Sequence, residues 1–399
     1  MLNGMKIVDR TIEPVLQMYA GQYPVVTITG PRQSGKTTLC KKVFPAKPYA
    51  NLEAPDTRQF AIDDPRGFLS QYPDGAVVDE IQRAPDLVSY VQEIVDQDGR
   101  DGLFILTGSQ QFEVSNTINQ SLAGRTALAR LLPFSLQEIN SSYPLPDIDG
   151  LLYHGFYPRI WDKHLNPSQA LRDYFETYIE RDLRQLIAIK DLNLFQRFIK
   201  LCAGRVGQLL NLNSLANDTG ISHTTARNWL SLLEASYIVF LLPPYHRNIS
   251  KRLVKSPKLY FYDIGLVSYL LGIENEKQVS RDPLRGSMFE NLVIAEILKY
   301  RYNTGRSSNL YFYRDSKGNE VDLLLVSGAD IFPLEIKAGM TITRDYFKGL
   351  NHFAQLFPDN MPAGSGLVYG GKELQRRTDV FIIPFGWIYY LLKHVQDAG

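Results

Sequence analysis

The chain has 399 residues, 44% hydrophobic and 21% charged, which excludes a disordered, collagenous or membrane polypeptide and, at roughly 150 residues per domain, asks for two or three domains. Lys plus Arg number 43 against 42 Asp plus Glu, a net charge of +1, so any contact with a polyanion rests on local clustering of charge. The longest apolar run, Tyr237 to Leu242, falls far short of a span, the first ten residues lack a secretory signal's apolar core, and Cys40 and Cys202 are too isolated for a disulfide framework; the expectation is a reduced, cytoplasmic protein without membrane contact.

In chain order, Tyr23–Thr29, Gly75–Val78 and Leu103–Thr107 are short apolar runs separated by amphipathic stretches, the pattern of strands buried on both faces of a parallel α/β sheet. The first run leads into Gly30-Pro31-Arg32-Gln33-Ser34-Gly35-Lys36-Thr37, a full G-x-x-x-x-G-K-[ST] phosphate loop, with Thr38 continuing into a helix. Loop amides and the helix N-terminus cradle phosphates, Lys36 supplies a point charge and the Thr37 hydroxyl coordinates Mg²⁺, so ATP and Mg²⁺ are the expected ligands. Ala76-Val77-Val78 ends in Asp79 and Glu80: the first is placed to complete the metal shell, the second to polarise an attacking water. The next apolar strand ends in Thr107-Gly108-Ser109, where a small polar side chain reaches the γ-phosphate or the water. Arg125, just before the strand-like run 127–132, is placed either to neutralise a γ-phosphate in a neighbouring subunit, which implies a homo-oligomer, or to pair with a carboxylate of its own domain.

From Ala170 to Leu210 the spacing of Tyr174, Tyr178, Leu183 and Leu186 is helical. A helix-turn-helix follows, with Ser214 capping the first helix, Gly220 in the turn, and Ser222 capping a second helix that buries Ala226, Trp229, Leu230 and Leu233. His223, Thr224, Thr225, Arg227 and Asn228 open that second helix. Between Ser236 and Tyr262 there is no acid, while Arg247, Lys251, Arg252, Lys255 and Lys258 accompany Tyr245 and His246. Such a basic stretch falls where the wing of a winged helix touches nucleic-acid phosphates, DNA included, although such modules also bind proteins.

The last part brings a long helix, Ser287–Arg301, then strands at 310–314, 320–326 and 331–336. Glu320 and Asp322 share one strand face, as do Glu335 and Lys337. Acids in apolar strands need partners. A divalent cation between Asp322 and Glu335, with Lys337 orienting water, supplies them; a solvated hairpin with Lys337 paired to an acid is the other reading.

Asp322, Glu335-x-Lys337 and the helix acid Glu290 resemble the PD-(D/E)xK restriction-endonuclease-like core. Taken with the Walker motifs, Asp79-Glu80-Ile81-Gln82, Leu106-Thr107-Gly108-Ser109, Tyr178-Ile179-Glu180-Arg181-Asp182-Leu183 and Lys255-Ser256-Pro257-Lys258-Leu259-Tyr260-Phe261, nearly the whole chain resembles a prokaryotic family of AAA+ ATPases. That family joins an N-terminal P-loop domain to a C-terminal domain of unknown function with a nuclease-like core. The resemblance implies an α/β fold in three parts: an AAA+ ATPase domain over 1–165, a helical linker and winged helix over 166–262, and a nuclease-like α/β domain over 263–399. It implies ATP binding and little about the process served. The residues themselves lead to the expectation of ATP hydrolysis governing a nucleic-acid site, with metal ligands Thr37, Asp79, Glu290, Asp322 and Glu335; a switch or scaffold that only binds a partner is the alternative. No lid arginine is identifiable in the sequence.

Overall fold

The computed structural model describes residues 7–109, 121–180, 191–245 and 255–397. Five parallel strands, β1 (Val25–Thr29), β2 (Tyr49–Asn51), β3 (Val77–Asp79), β4 (Phe104–Gly108) and β5 (Thr126–Arg130), form the first sheet in the order β2-β3-β4-β1-β5. β1 and β4 are buried along their whole length. This follows from helices on both faces. Val26, Ile28 and Ile105 pack under the helices Glu13–Ala20 and Lys36–Val43. Val25, Phe104 and Leu106 pack on the side that carries the helix Leu87–Asp98. The expected α/β sheet is therefore present, with one strand, β2, that composition did not reveal because only Ala50 of its three residues is buried.

β4 lies between β1 and β3. Thus the loop after β1 and the acids after β3 meet across the end of β4, where all three strands present their C-terminal ends.

Beyond β5, one continuous core takes in residues from Leu132 to Leu392 and crosses positions 165 and 262 without a break. Asp173, Phe175 and Tyr178 lie around a π-helical turn, Phe175–Glu180; Arg181, Asp182, Leu183 and Leu186 are outside the described residues. The helices Leu212–Thr219 and His223–Ala235 are joined through Gly220 at φ +86°, and Ser222 accepts the Thr225 amide as expected. Asn211, not Ser214, caps the first of them; the Ser214 hydroxyl turns to Asp218 at 3.1 Å. An antiparallel pair, β6 (Val239–Leu242) and β7 (Lys258–Phe261), follows.

A second sheet, in the order β12-β13-β11-β10-β9-β8, holds β8 (Leu310–Arg314), β9 (Glu320–Ser327), β10 (Asp330–Lys337), β11 (Ser365–Tyr369), β12 (Gln375–Arg376) and β13 (Val380–Pro384). Its meander β8-β9-β10 is antiparallel, while β10, β11 and β13 run parallel. The helix Arg285–Asn303 packs across this sheet and also touches β5 of the first, so its 19 residues bridge the two. Among the described residues no helix is long and apolar enough to cross a membrane.

Candidate nucleotide site

The phosphate loop is shaped by its glycines. Gly30 sits at φ +154° with its missing Cβ 2.0 Å from the Leu131 carbonyl, and Gly35 begins the helix at φ +95°; a side chain is excluded by space at the first and by backbone conformation at the second. Gln33 takes the left-handed region as well, at φ 62°. Lys36 is buried and folds back on the loop, its Nζ donating to the carbonyls of Gly30 and Pro31 at 2.9 Å each. Burial pushes its ammonium below its ordinary value, against the attraction of Glu80 and Asp79. The Ser34 hydroxyl is buried with no hydrogen-bond partner among the described residues. Pro31 is buried, Arg32 is half-buried in the turn that follows it, and Thr38 is exposed beside Thr37.

Asp79 gathers the polar ends of three elements. Its Oδ2 accepts from the Thr37 hydroxyl at 2.7 Å and from the Tyr49 phenol, and its Oδ1 accepts from Thr107. Glu80 stands in the left-handed region at φ 60°, a conformation that costs a non-glycine residue free energy and that clusters at working sites. Ser109 donates to its Oε2 at 3.0 Å, and Gln82 bonds both Glu80 and Ser109. Hence the two predicted acids divide: Asp79 faces Thr37, and Glu80 is aimed by Gln82 and Ser109. The hard oxygens of Thr37 and Asp79, meeting at one point, fit a magnesium ion.

A cleft of about 710 Å³ opens over these groups, lined by Lys36, Thr37, Glu80, Arg10, Arg83 and Arg159 among others. Arg159 comes from the short helix Pro158–Asp162 and Arg83 from the turn after Glu80. Neither is in an ion pair with a described residue. Arg32 instead pairs with Glu53 at 3.1 Å and lies over the Tyr178 ring. Arg159, Arg83, Arg10 and Tyr49 escaped sequence reasoning, because nothing local marks a lone arginine or tyrosine as facing a loop folded elsewhere. The placement of Arg125 is of the second kind allowed: it pairs with Asp96 of its own domain, Nη2 to Oδ2 2.9 Å. Its carbonyl bonds Val25 at the opposite end of β1 from the phosphate loop, so it cannot reach its own chain's cleft.

The C-terminal residues form a second buried cluster. Lys337 bridges Asp322 at 2.7 Å and Glu335 at 2.6 Å, and the Ile336 amide donates to Asp322. Burial, and then the neighbouring Asp322, push the Glu335 carboxyl up to about 9. Asp322 goes the other way: burial opposes its charge, but Lys337 and Lys258 outweigh it and hold the carboxyl below its ordinary value. Glu290 has no hydrogen bond to either carboxylate among the described residues, but its own burial and the charge of Asp322 raise its carboxyl, against the attraction of Lys258. It accepts from Tyr260 and from Lys258, the latter at 2.9 Å, and Lys258 reaches on to Glu320 at 2.6 Å. Among the described residues no three acids, histidines or cysteines are grouped as a metal site.

Lys258 is thus a correction to the sequence reading. It is 3% exposed and spends its charge on Glu290 and Glu320, so it is no phosphate-touching wing residue. Tyr245 is likewise packed against Tyr311 and Phe357. Lys255 is exposed, and His246, Arg247, Lys251 and Arg252 are outside the described residues. His223, Thr224, Arg227 and Asn228 are exposed at the start of their helix, with Thr225 half-buried.

Three family descriptions match successive stretches: an AAA domain (AAA_14) over residues 22–140, a domain of unknown function (DUF8612) over 145–277 and another (DUF4143) over 285–388. Among solved structures, the Walker-type ATPase PABY2304 of Pyrococcus abyssi covers 66% of this chain and 96% of its own, at 14% identity and a TM-score of 0.41. The Thermotoga maritima RuvB Holliday junction branch migration motor covers 59% and 90%, at 16% and 0.30. The chain is 33% identical over 321 residues to the uncharacterized proteins Rv2008c of Mycobacterium tuberculosis and Mb2031c of Mycobacterium bovis, covering 80% of this chain and 71% of each relative. With that identity over that length, the chain belongs to the family of these mycobacterial proteins, and its N-terminal part matches an AAA domain.

Proposed function

We propose that the chain binds ATP with Mg²⁺ in the cleft and hydrolyses it. The observation that carries this reading is the meeting of Thr37 and Asp79 at 2.7 Å beside Lys36, with Glu80 held apart by Ser109 and Gln82. Lys36, once turned from the Gly30 and Pro31 carbonyls, faces the β- and γ-phosphates. The Thr37 hydroxyl and Asp79 would hold Mg²⁺, which neutralises charge on the phosphates. Glu80 takes the proton of the attacking water, and Ser109 with Gln82 fixes the carboxylate in the orientation that does so. Arg83 and Arg159 supply further positive charge to the phosphates, Arg159 from the helical side of the cleft where a lid arginine belongs. Arg125, paired with Asp96 of its own domain, has no part in this chain's cleft and would meet a neighbouring subunit's nucleotide only by giving up Asp96. Mg²⁺-dependent phosphate release by the wild type and its loss in Glu80→Gln test the assignment; a wild type that binds and hydrolyses no ATP defeats it.

A second reading concerns the C-terminal part: nucleotide state governs a nuclease-like site built on Asp322, Glu335 and Lys337, with the helix-turn-helix contacting DNA. Two buried carboxylates side by side on β9 and β10, joined by one lysine, favour it. The same bridge also suits a domain that binds a partner without cleavage. Cleavage of DNA with Mg²⁺ or Mn²⁺, with and without ATP, by wild type and Asp322→Ala separates the two.

A further inference from the structure

We propose that Arg10 is a positioning residue of the phosphate loop, holding the Ser34 carbonyl so that the Gly35 amide faces the phosphates; this rests on the nucleotide reading of the cleft. Arg10 lies 24 positions before Ser34, and its Nη1 donates to the Ser34 carbonyl at 2.8 Å. Its Nη2 donates to the Leu132 carbonyl at 2.7 Å, and its Nε stands 3.1 Å from Glu138. The guanidinium also lies over the Phe134 ring, 5.0 Å from its centre. Only 6% of Arg10 is exposed, and a buried guanidinium is costly unless it is paired and hydrogen-bonded; both terminal nitrogens are hydrogen-bonded, while Nε has only the charge of Glu138 beside it among the described residues. Here one of its donors is spent on the loop itself.

The consequence follows from peptide geometry. The unit joining Ser34 to Gly35 is planar and trans, so its carbonyl and its N–H point in opposite directions. Drawing the Ser34 carbonyl toward Arg10 turns the Gly35 N–H away from Arg10, into the loop. Gly35 stands at φ +95°, and the nearest atom to a Cβ built on it is Nη1 of Arg10, at 3.5 Å.

Arg10 is itself held from behind. Glu138 accepts from the amides of Thr11 at 2.7 Å and Ser135 at 2.8 Å, in a capping box that starts the helix Leu136–Asn140. The two cations on the loop therefore differ in kind. Lys36 rests on carbonyls it must release to reach a phosphate, whereas Arg10 is fixed between loop, β5 end and Glu138 and keeps the loop in shape when Lys36 leaves.

The test is calorimetric titration of the full chain with ADP and with AMP, for wild type, Arg10→Met, Arg10→Lys and Glu138→Gln. Calorimetry separates affinity from the fraction of protein that binds, and that split distinguishes positioning from mere folding. In Arg10→Met the ADP Kd is expected to rise about tenfold or more, the weight of a hydrogen bond to a charged group, with AMP affecting the comparison little and the stoichiometry unchanged. Arg10→Lys restores part of the loss. Glu138→Gln, whose side chain is outside the cleft, raises the ADP Kd in the same direction. An ADP Kd in Arg10→Met within twofold of wild type, or a fall in stoichiometry alone, overturns the proposal. If Arg10→Met does not fold, unchanged Kd values in both Arg10→Lys and Glu138→Gln overturn it. A wild type that binds no ADP overturns the nucleotide reading as well.

Discussion

The Tyr237 phenol oxygen stands 2.7 Å from the Thr29 hydroxyl across 208 positions of chain, both groups buried. Thr29 is the last residue of β1, and Gly30 begins the phosphate loop. Tyr237 follows the second helix of the helix-turn-helix and takes φ 56° to make the contact. Burial pushes the phenol up to about 12, so it acts as a neutral partner. The middle segment is therefore pinned by a specific polar contact to the residue next to the loop.

Removing that contact has a defined cost. Among the described residues, Tyr237→Phe leaves the Thr29 hydroxyl with only the Ala129 carbonyl at 3.5 Å, so a loss of about 1–3 kcal/mol is expected. Urea unfolding with an unchanged slope measures it. The double variant with Thr29→Val should lose less than the sum of the two single variants, since two apolar partners leave no orphaned group. Additive losses would show that the two hydroxyls do not interact.

Lys36→Ala should abolish tight binding of ATP and ADP, since no described side chain takes the same place on the Gly30 and Pro31 carbonyls or faces the β-phosphate from inside the loop. The fold should survive, because the hydrogen bonds of Lys36 among the described residues all go to carbonyls of its own loop. Calorimetry decides, and an unchanged affinity would remove the loop from the nucleotide site.

For Glu80→Gln, nucleotide affinity within a few-fold of wild type is expected alongside hydrolysis slower by about 10²–10⁴-fold, the usual weight of a general base. The amide retains the shape that Ser109 and Gln82 hold but cannot accept the water's proton. Wild-type turnover in this variant would make Glu80 a structural residue.

What the sequence made legible was local. A strand, a glycine turn and a helix start follow one another from Val25 to Val43, and Asp79 with Glu80 and Ser109 each lie at the end of an apolar run, so their placement at one end of the sheet was readable. Gly220 and Ser222 were readable for the same reason. Ser214 was misjudged as a cap because Asn211, three residues earlier, offers the Ser214 amide the same acceptor. Lys258 looked like part of a basic wing, since its neutralising acids Glu290 and Glu320 are 32 or more positions away. Arg10 gave no signal at all: its partners are two carbonyls and Glu138, brought together only by the fold. In the second sheet, the strands and the meeting of Asp322, Glu335 and Lys337 were legible from alternation along two neighbouring runs. That Glu290 reaches them through Lys258 was not, because it depends on which way the helix Arg285–Asn303 turns its acid.

The second cluster yields the last prediction, where pH and metal bear on the same carboxyl. Glu335 carries a raised pKa in the folded chain, from burial first and from Asp322 second, against an ordinary value of 4.5 when unfolded. Between those two values the folded state holds a proton that the unfolded chain releases. Stability from this group is thus complete below about 4.5 and is lost as pH rises toward about 9, by at most about 1.4 kcal/mol per pH unit. Asp322, whose pKa is lowered, adds no slope in this window, because its contribution is lost only in more acid solution. Urea unfolding from pH 5 to 9 should show the decline in wild type and a flatter profile in Glu335→Gln. A divalent cation between Asp322 and Glu335 must displace both that proton and Lys337, so any stabilisation by Mg²⁺ or Mn²⁺ should grow as pH rises. The comparison is made without nucleotide, when Thr37 and Asp79 hold the ion weakly. Asp322→Asn should remove the metal-dependent part while leaving the phosphate loop untouched. Equal metal-induced shifts in wild type and Asp322→Asn would reject a metal site here, and the Lys337 bridge would then stand as the reason these acids are buried together.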